Sequence, residues 1–146
     1  MSGSTSPYPW VIAFLVTAFV GFADAVYLTA SHYIGALPTC TIIAGCDEVA
    51  LSAYSTIGPV PVALFGVIFY IIMLVASVVW LDMRTDHIWR YLPLLTVPAF
   101  LFSMWLVYLM FFVIDAICVY CLVSALTTTL LMLFSLQMWR MVISAQ

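Results

Sequence analysis

No lysine occurs anywhere in these 146 residues, and the chain's arginines are only Arg84, Arg90 and Arg140. Such a chain cannot neutralise a run of phosphates, which excludes nucleic-acid binding. Charged residues make up 6% of the chain, where soluble domains carry about 25%. They are too few to cover a water-facing surface, so a single soluble domain is excluded as well. Repeats, low-complexity tracts and composition breaks are also missing, and residues 1–146 read as one domain. There is no basic stretch ahead of the first apolar segment, which starts at Trp10 and is too long for the apolar core of a signal peptide. It is expected to be a retained helix.

What the chain has instead is apolar length. Hydrophobic residues account for 67% of it, and four apolar segments stand out, at approximately 10–30, 60–81, 91–113 and 116–138. Each is about 20 residues or more, enough at about 1.5 Å per residue to cross a hydrocarbon core of about 30 Å. Helices satisfy every backbone hydrogen bond inside lipid. The expected fold is therefore all-α: a four-transmembrane-helix bundle. Pro93 and Pro98 fall in the third segment, and Pro98 is expected to kink it.

Arg84 and Arg90 lie between the second and third segments, and Arg140 follows the fourth. By the positive-inside rule, both termini and residues 82–90 face the cytoplasm, leaving 31–58 and 114–117 outside. The expected setting is the cytoplasmic membrane, crossed several times. The outer connection 31–58 is far longer than an ordinary helix–helix link, a length typical of functional or disordered loops. Within it, CDEVALSAYSTIGPVP predicts a short interfacial helix. Asp47 and Glu48 fall in its first turn, Val49, Ala53 and Tyr54 on an apolar face, and Gly58–Pro59 at its end.

The arginines, without reference to any cysteine, put all four cysteines on the outer, oxidising side, where disulfides persist. Cys40 and Cys46 sit in the loop as CTIIAGC, and Cys118 and Cys121 open the fourth segment as CVYC. Residues three apart share a helical face and can bridge. Asp115 is expected to cap that helix, placing Cys118 in its first turn. There the helix dipole lowers a thiol pKa, while apolar surroundings raise it. Cys121, one turn deeper, is where a lipid-soluble oxidant could reach. The loop pair, with Pro38 and Gly45 around it, suits a disulfide that opens, exchanges and relays electrons inward. Two alternatives stand beside this reading. One is a pair of structural staples, although a CxxC closes too short a loop to contribute much. The other is a four-cysteine metal site, for which the spacing is poor and His32 and His87 are not adjacent.

CTIIAGCDEVALSAYSTIGPVPVALFGVIFY, with CVYC opening the last span and DAVYLTASHYIG ending the first, resembles the vitamin K epoxide reductase family in its prokaryotic form. The likeness covers most of the chain and includes the FG-x-x-FY segment from Phe65 to Tyr70. It implies a membrane thiol–disulfide oxidoreductase coupling oxidation of a thioredoxin-fold partner to reduction of a quinone. In that scheme Cys40 exchanges with the partner, Cys46 passes electrons to Cys118, and Cys121 faces the quinone. Ser52 matches a serine beside the family's active site. No fused thioredoxin domain is evident before Gln146, so the partner is expected to be a separate secreted protein. Vertebrate members hold the quinone oxygens with an Asn and a Tyr where Val62 and Ala125 stand here. That favours oxidation of protein thiols with ubiquinone or menaquinone over epoxide reduction.

Weaker signals remain. Asp24 lies inside the first span, either as a functional group such as a proton donor to quinone or as a carboxyl bonded to a neighbouring helix. Ser52, Tyr54, Ser55 and Ser124 are candidate donors to a quinone, while Phe65, Phe69, Met104 and Tyr120 are candidate pocket walls or ordinary packing. A different function class, a small transporter or membrane scaffold with structural disulfides, predicts inert cysteines. The spans offer it almost no polar pathway.

Overall fold

The computed structural model describes residues 7–36, 38, 45–84 and 87–144. Four long helices dominate: α1 (Tyr8–Ile34), α3 (Val62–Met83), α4 (His87–Leu109) and α5 (Val119–Ser144). All four are long and apolar enough to cross a membrane, α4 together with the turn that follows it. The chain is an all-α, multi-pass membrane protein. Helix α4 runs through Pro93 and Pro98 without interruption. Gly35, in the left-handed region with its amide bonded to the His32 carbonyl, terminates α1.

Between α1 and α3 lie a short helix, α2 (Cys46–Leu51), and a two-strand hairpin, β1 (Thr56–Ile57) with β2 (Val60–Pro61). Thr56 pairs with Pro61 and Ile57 with Val60, antiparallel. This corrects the expected helix from Cys46 to Gly58. Asp47 and Glu48 do occupy its first turn, but the helix ends at Leu51, and Ala53 and Tyr54 are exposed beyond it. The cause is local competition for the backbone. The Ser52 hydroxyl donates to the Val49 carbonyl at 2.8 Å, and the Ser55 hydroxyl donates to the Ser52 carbonyl at 2.8 Å. Gly58, at φ 64°, is then free to turn the hairpin rather than cap a helix.

The major interfaces are α1 with α3, α1 with α5, and α4 with α5, so the spans follow one another as α3–α1–α5–α4. Consecutive α3 and α4 form no comparable interface among the described residues. Where α1, α3 and α5 meet, Gly21 lets the Tyr70 ring lie against the α1 backbone; a Cβ there would collide with the ring. The Tyr70 hydroxyl then reaches α5, 2.7 Å from Thr127 Oγ1 and 3.1 Å from Thr128 Oγ1. Thr96 and Ser135 join α4 to α5 at 2.8 Å. Polar side chains paired inside the bundle in this way avoid leaving hydroxyls bare in hydrocarbon. At the arginine-bearing end, Arg84 lies 4.6 Å over the Tyr8 ring, and Trp80 meets Trp89 edge to face.

Two further corrections concern the end of α4 and the start of α5. Helix α4 widens into a π-helical turn, Met110–Ile114, closed by Asp115 in the left-handed conformation at φ 53°. Residues 115–118 are irregular, and α5 starts at Val119 rather than Ala116. Asp115 is exposed and ends one helix; it does not cap the next.

Candidate active site

With α5 starting at Val119, Cys118 occupies the N-cap position itself. Its carbonyl accepts the Leu122 amide at 3.1 Å, and its sulfur accepts the Cys121 amide at 3.3 Å. The thiol thus does what Ser or Asp does at an ordinary cap, satisfying an amide that has no partner in the first turn. The Cys118 amide donates to Met110 Sδ at 3.3 Å, across the break between α4 and α5. Cys121 Sγ lies 2.7 Å from Cys118 Sγ, and both are free thiols. Two sulfurs this close, on residues three apart, are placed to close into a disulfide.

The Cys118 thiol is held below its usual pKa, first because the Cys121 thiol donates a hydrogen bond to its sulfur. Burial and the negative charge of Asp24 oppose that effect. The hydrogen bond from Cys121 therefore outweighs burial and makes the Cys118 thiol ionise more readily to the thiolate, the form that attacks disulfides.

Cys46, the first residue of α2, is disulfide-bonded and 1% exposed. It packs in one buried cluster with Cys118 and Met110, against Val49, Tyr120 and Cys121. Gly45 brings it there. This glycine has φ 141°, and a Cβ on it would stand 3.0 Å from the Ile117 amide nitrogen and 3.1 Å from the Ile117 carbonyl oxygen. Only a residue without a side chain lets the loop press on the backbone just ahead of Cys118. Cys40 lies outside the described residues.

Beside this cluster is a cavity of about 980 Å³, roofed by α2 and the hairpin and walled by α1, α3, α4, the π-helical turn and α5. Cys46, Cys118 and Cys121 all open onto it, as do Ser52, Phe65 and Phe69. Tyr54, Ser55, Ser124 and His32 also line it, whereas Met104 and Tyr120 do not. Tyr120 packs against Tyr27 instead, with ring centroids 4.9 Å apart. Its dimensions suit a drug-sized apolar molecule. Val62 lines the wall, and Ala125 is buried elsewhere in α5. The Ser52 proton is committed to Val49, so that hydroxyl meets a ligand as an acceptor unless it turns. Among the described residues no three His, Cys, Asp or Glu side chains gather as metal ligands.

Residues 12–136 match the vitamin K epoxide reductase family. The chain belongs to that family. The match runs from the first span to near the end of the fourth, so it takes in every element around the cavity. Among curated proteins no match is found. As a member of the vitamin K epoxide reductase family, the chain is a membrane thiol–disulfide oxidoreductase. Two contributors to the site are not legible in the sequence. Met110 carried no signal, because its role depends on a π-helical turn that folds α4 back towards Cys118. Gly45 reads in the sequence only as a loop glycine; its role lies in its close contact with Ile117.

Proposed function

We propose that this protein oxidises a separate thioredoxin-fold partner and passes the electrons to ubiquinone or menaquinone. The observation that carries the proposal is the shared cavity: a disulfide-bonded Cys46 and the free pair Cys118/Cys121 border one apolar space among the spans. In the proposed cycle, the partner's thiols reduce the pair Cys40/Cys46. The Cys46 thiolate attacks Cys118 in the Cys118–Cys121 disulfide, forming a Cys46–Cys118 bond and releasing Cys121 as thiolate. Cys40 then attacks Cys46 and releases Cys118. The Cys118/Cys121 dithiol reforms its disulfide, giving two electrons to the quinone, which becomes quinol on taking up two protons. The three arginines support an outer location for this chemistry, with both termini in the cytoplasm.

In the proposed cycle the electrons rest on the Cys118/Cys121 pair after moving inward and before the quinone is reduced. Phe65 and Phe69 supply flat apolar surface for a quinone ring, and Cys121 is the sulfur assigned to face it. Val62 stands at the cavity wall where vertebrate members carry an Asn, a departure that favours oxidation of protein thiols over epoxide reduction. Purified protein, given a reduced thioredoxin-fold protein and either quinone, should convert one quinone to quinol for each disulfide formed. If neither quinone were consumed while Cys118 and Cys121 stayed reduced, the proposed coupling would be wrong.

A further inference from the structure

Asp24 is the most anomalous side chain in the bundle. It lies within a membrane span and is 8% exposed, and its Oδ2 has no hydrogen-bond partner among the described residues. A carboxyl bonded to a neighbouring helix would be ordinary. One left bare in an apolar interior is costly and calls for a function.

Its surroundings indicate which function. Helix α1 packs against α5, and one turn beyond Asp24 on the same face of α1 the Tyr27 ring rests on Tyr120, the residue between the two CVYC cysteines. The neighbouring Ala25 lines the cavity onto which Cys118 and Cys121 open. The charge of Asp24 acts at Cys118, at Tyr120 and at Cys121. The titratable groups around it are these three at the start of α5, Tyr27 on α1, and Tyr70 of α3, which packs at Gly21 one turn earlier. Arg84 lies at the other end of α1, over Tyr8. No Lys exists in the chain to serve as a base.

We infer that Asp24 is the proton exchanger of the Cys118/Cys121 couple, taking a proton as the disulfide closes and returning it as the disulfide opens. The inference rests on the proposed quinone-linked cycle and adds the proton path to it. When the Cys118–Cys121 bond forms, two S–H bonds break. Two electrons and one proton go to the quinone, the second thiol proton goes to the Asp24 carboxylate, and water supplies the quinone's other proton. When Cys46 attacks Cys118 and Cys121 leaves as thiolate, Asp24 returns its proton to the pair. The remaining thiolate is protonated from water, which has received the two protons lost by the partner. No net charge is left on the buried sulfurs once both steps are complete.

Asp24→Asn keeps the shape and removes the exchangeable proton, and Asp24→Glu restores it. Pre-reduced protein is mixed with ubiquinone analogue in single-turnover experiments at pH 7 and pH 9, with melting temperatures measured in parallel. Asp24→Asn is expected to slow quinol formation at pH 7 by about 100-fold, the scale of general acid–base catalysis. Most of the rate should return at pH 9, where hydroxide takes the thiol proton directly, and Asp24→Glu should remain within about tenfold of the parent, well inside that range. A rate for Asp24→Asn within twofold of the parent at pH 7 would overturn the inference. So would a loss that pH 9 does not relieve, because a purely structural carboxyl gives that result. Failure of the parent protein itself to reduce the quinone would reject the quinone-linked cycle instead.

Discussion

Cys121→Ala should reduce quinone turnover to the uncatalysed background, whether the electrons come from a protein partner or from a small membrane-permeant dithiol. Cys121 opens onto the cavity, and Cys118, 2.7 Å away, is placed to form a disulfide with it. Without Cys121 the pair cannot release two electrons to the quinone as a Cys118–Cys121 disulfide. Cys118→Ala should do the same, because either change leaves a single thiol. Cys46→Ala provides the contrast. Turnover with the partner should be lost, while the small dithiol, which enters the cavity and reduces CVYC directly, should still support quinol formation. Quinone consumption followed by absorbance checks all three variants. Persistent small-dithiol turnover in Cys121→Ala would reject the assignment of Cys121 as the quinone-facing sulfur.

The second large effect is expected at Gly45, which takes no part in the chemistry. Its φ of 141° is a conformation that side chains avoid. An added Cβ would stand 3.0 and 3.1 Å from backbone atoms of Ile117, which have no flexible end to yield. Strain of this kind costs about 1–3 kcal/mol, and the loop relieves it by moving away from the start of α5. That movement carries Cys46 away from Cys118. Misplacing reacting atoms by an ångström costs about 100-fold, and a loss of about that size is expected in partner-driven turnover of Gly45→Ala. Small-dithiol turnover should stay within about twofold, because the CVYC pair, its cap and Met110 are untouched, far from the 100-fold cost of misplaced reactants. Parallel loss of both activities would mean that the glycine supports the fold rather than the approach of the loop to Cys118.

The four spans could be read from the sequence because long apolar runs leave a chain few options in lipid. The boundaries found, such as Val62–Met83 for an expected 60–81, differ by the few residues over which helix ends fray. Cys46, Cys118 and Cys121 could be singled out by residue type and spacing, and Ser52, Phe65 and Phe69 by the family resemblance; all six border one cavity. Details fixed by a single backbone torsion or by long-range contact could not be read. Asp115 looks like a helix N-cap, yet its left-handed conformation ends the preceding π-helical turn, which gives the cap to Cys118. Ser52 and Ser55 look neutral within a helical stretch, yet their back-bonds to carbonyls three residues earlier stop α2 after six residues. Tyr70 stood out only as part of a motif. Its packing against Gly21 and its hydroxyl pairing across 57 residues to Thr127 depend on how three helices meet.

The relay requires that Cys46 and Cys118 bond to each other in passing. In the double variant Cys40→Ala, Cys121→Ala, both resolving thiols are gone, so that bond should accumulate once formed. Mild oxidation of this variant in membranes, followed by alkylation and peptide mass spectrometry, should recover Cys46 and Cys118 joined in one disulfide-linked species. Recovery of both residues as separate alkylated thiols would contradict the transfer of electrons from the loop to CVYC.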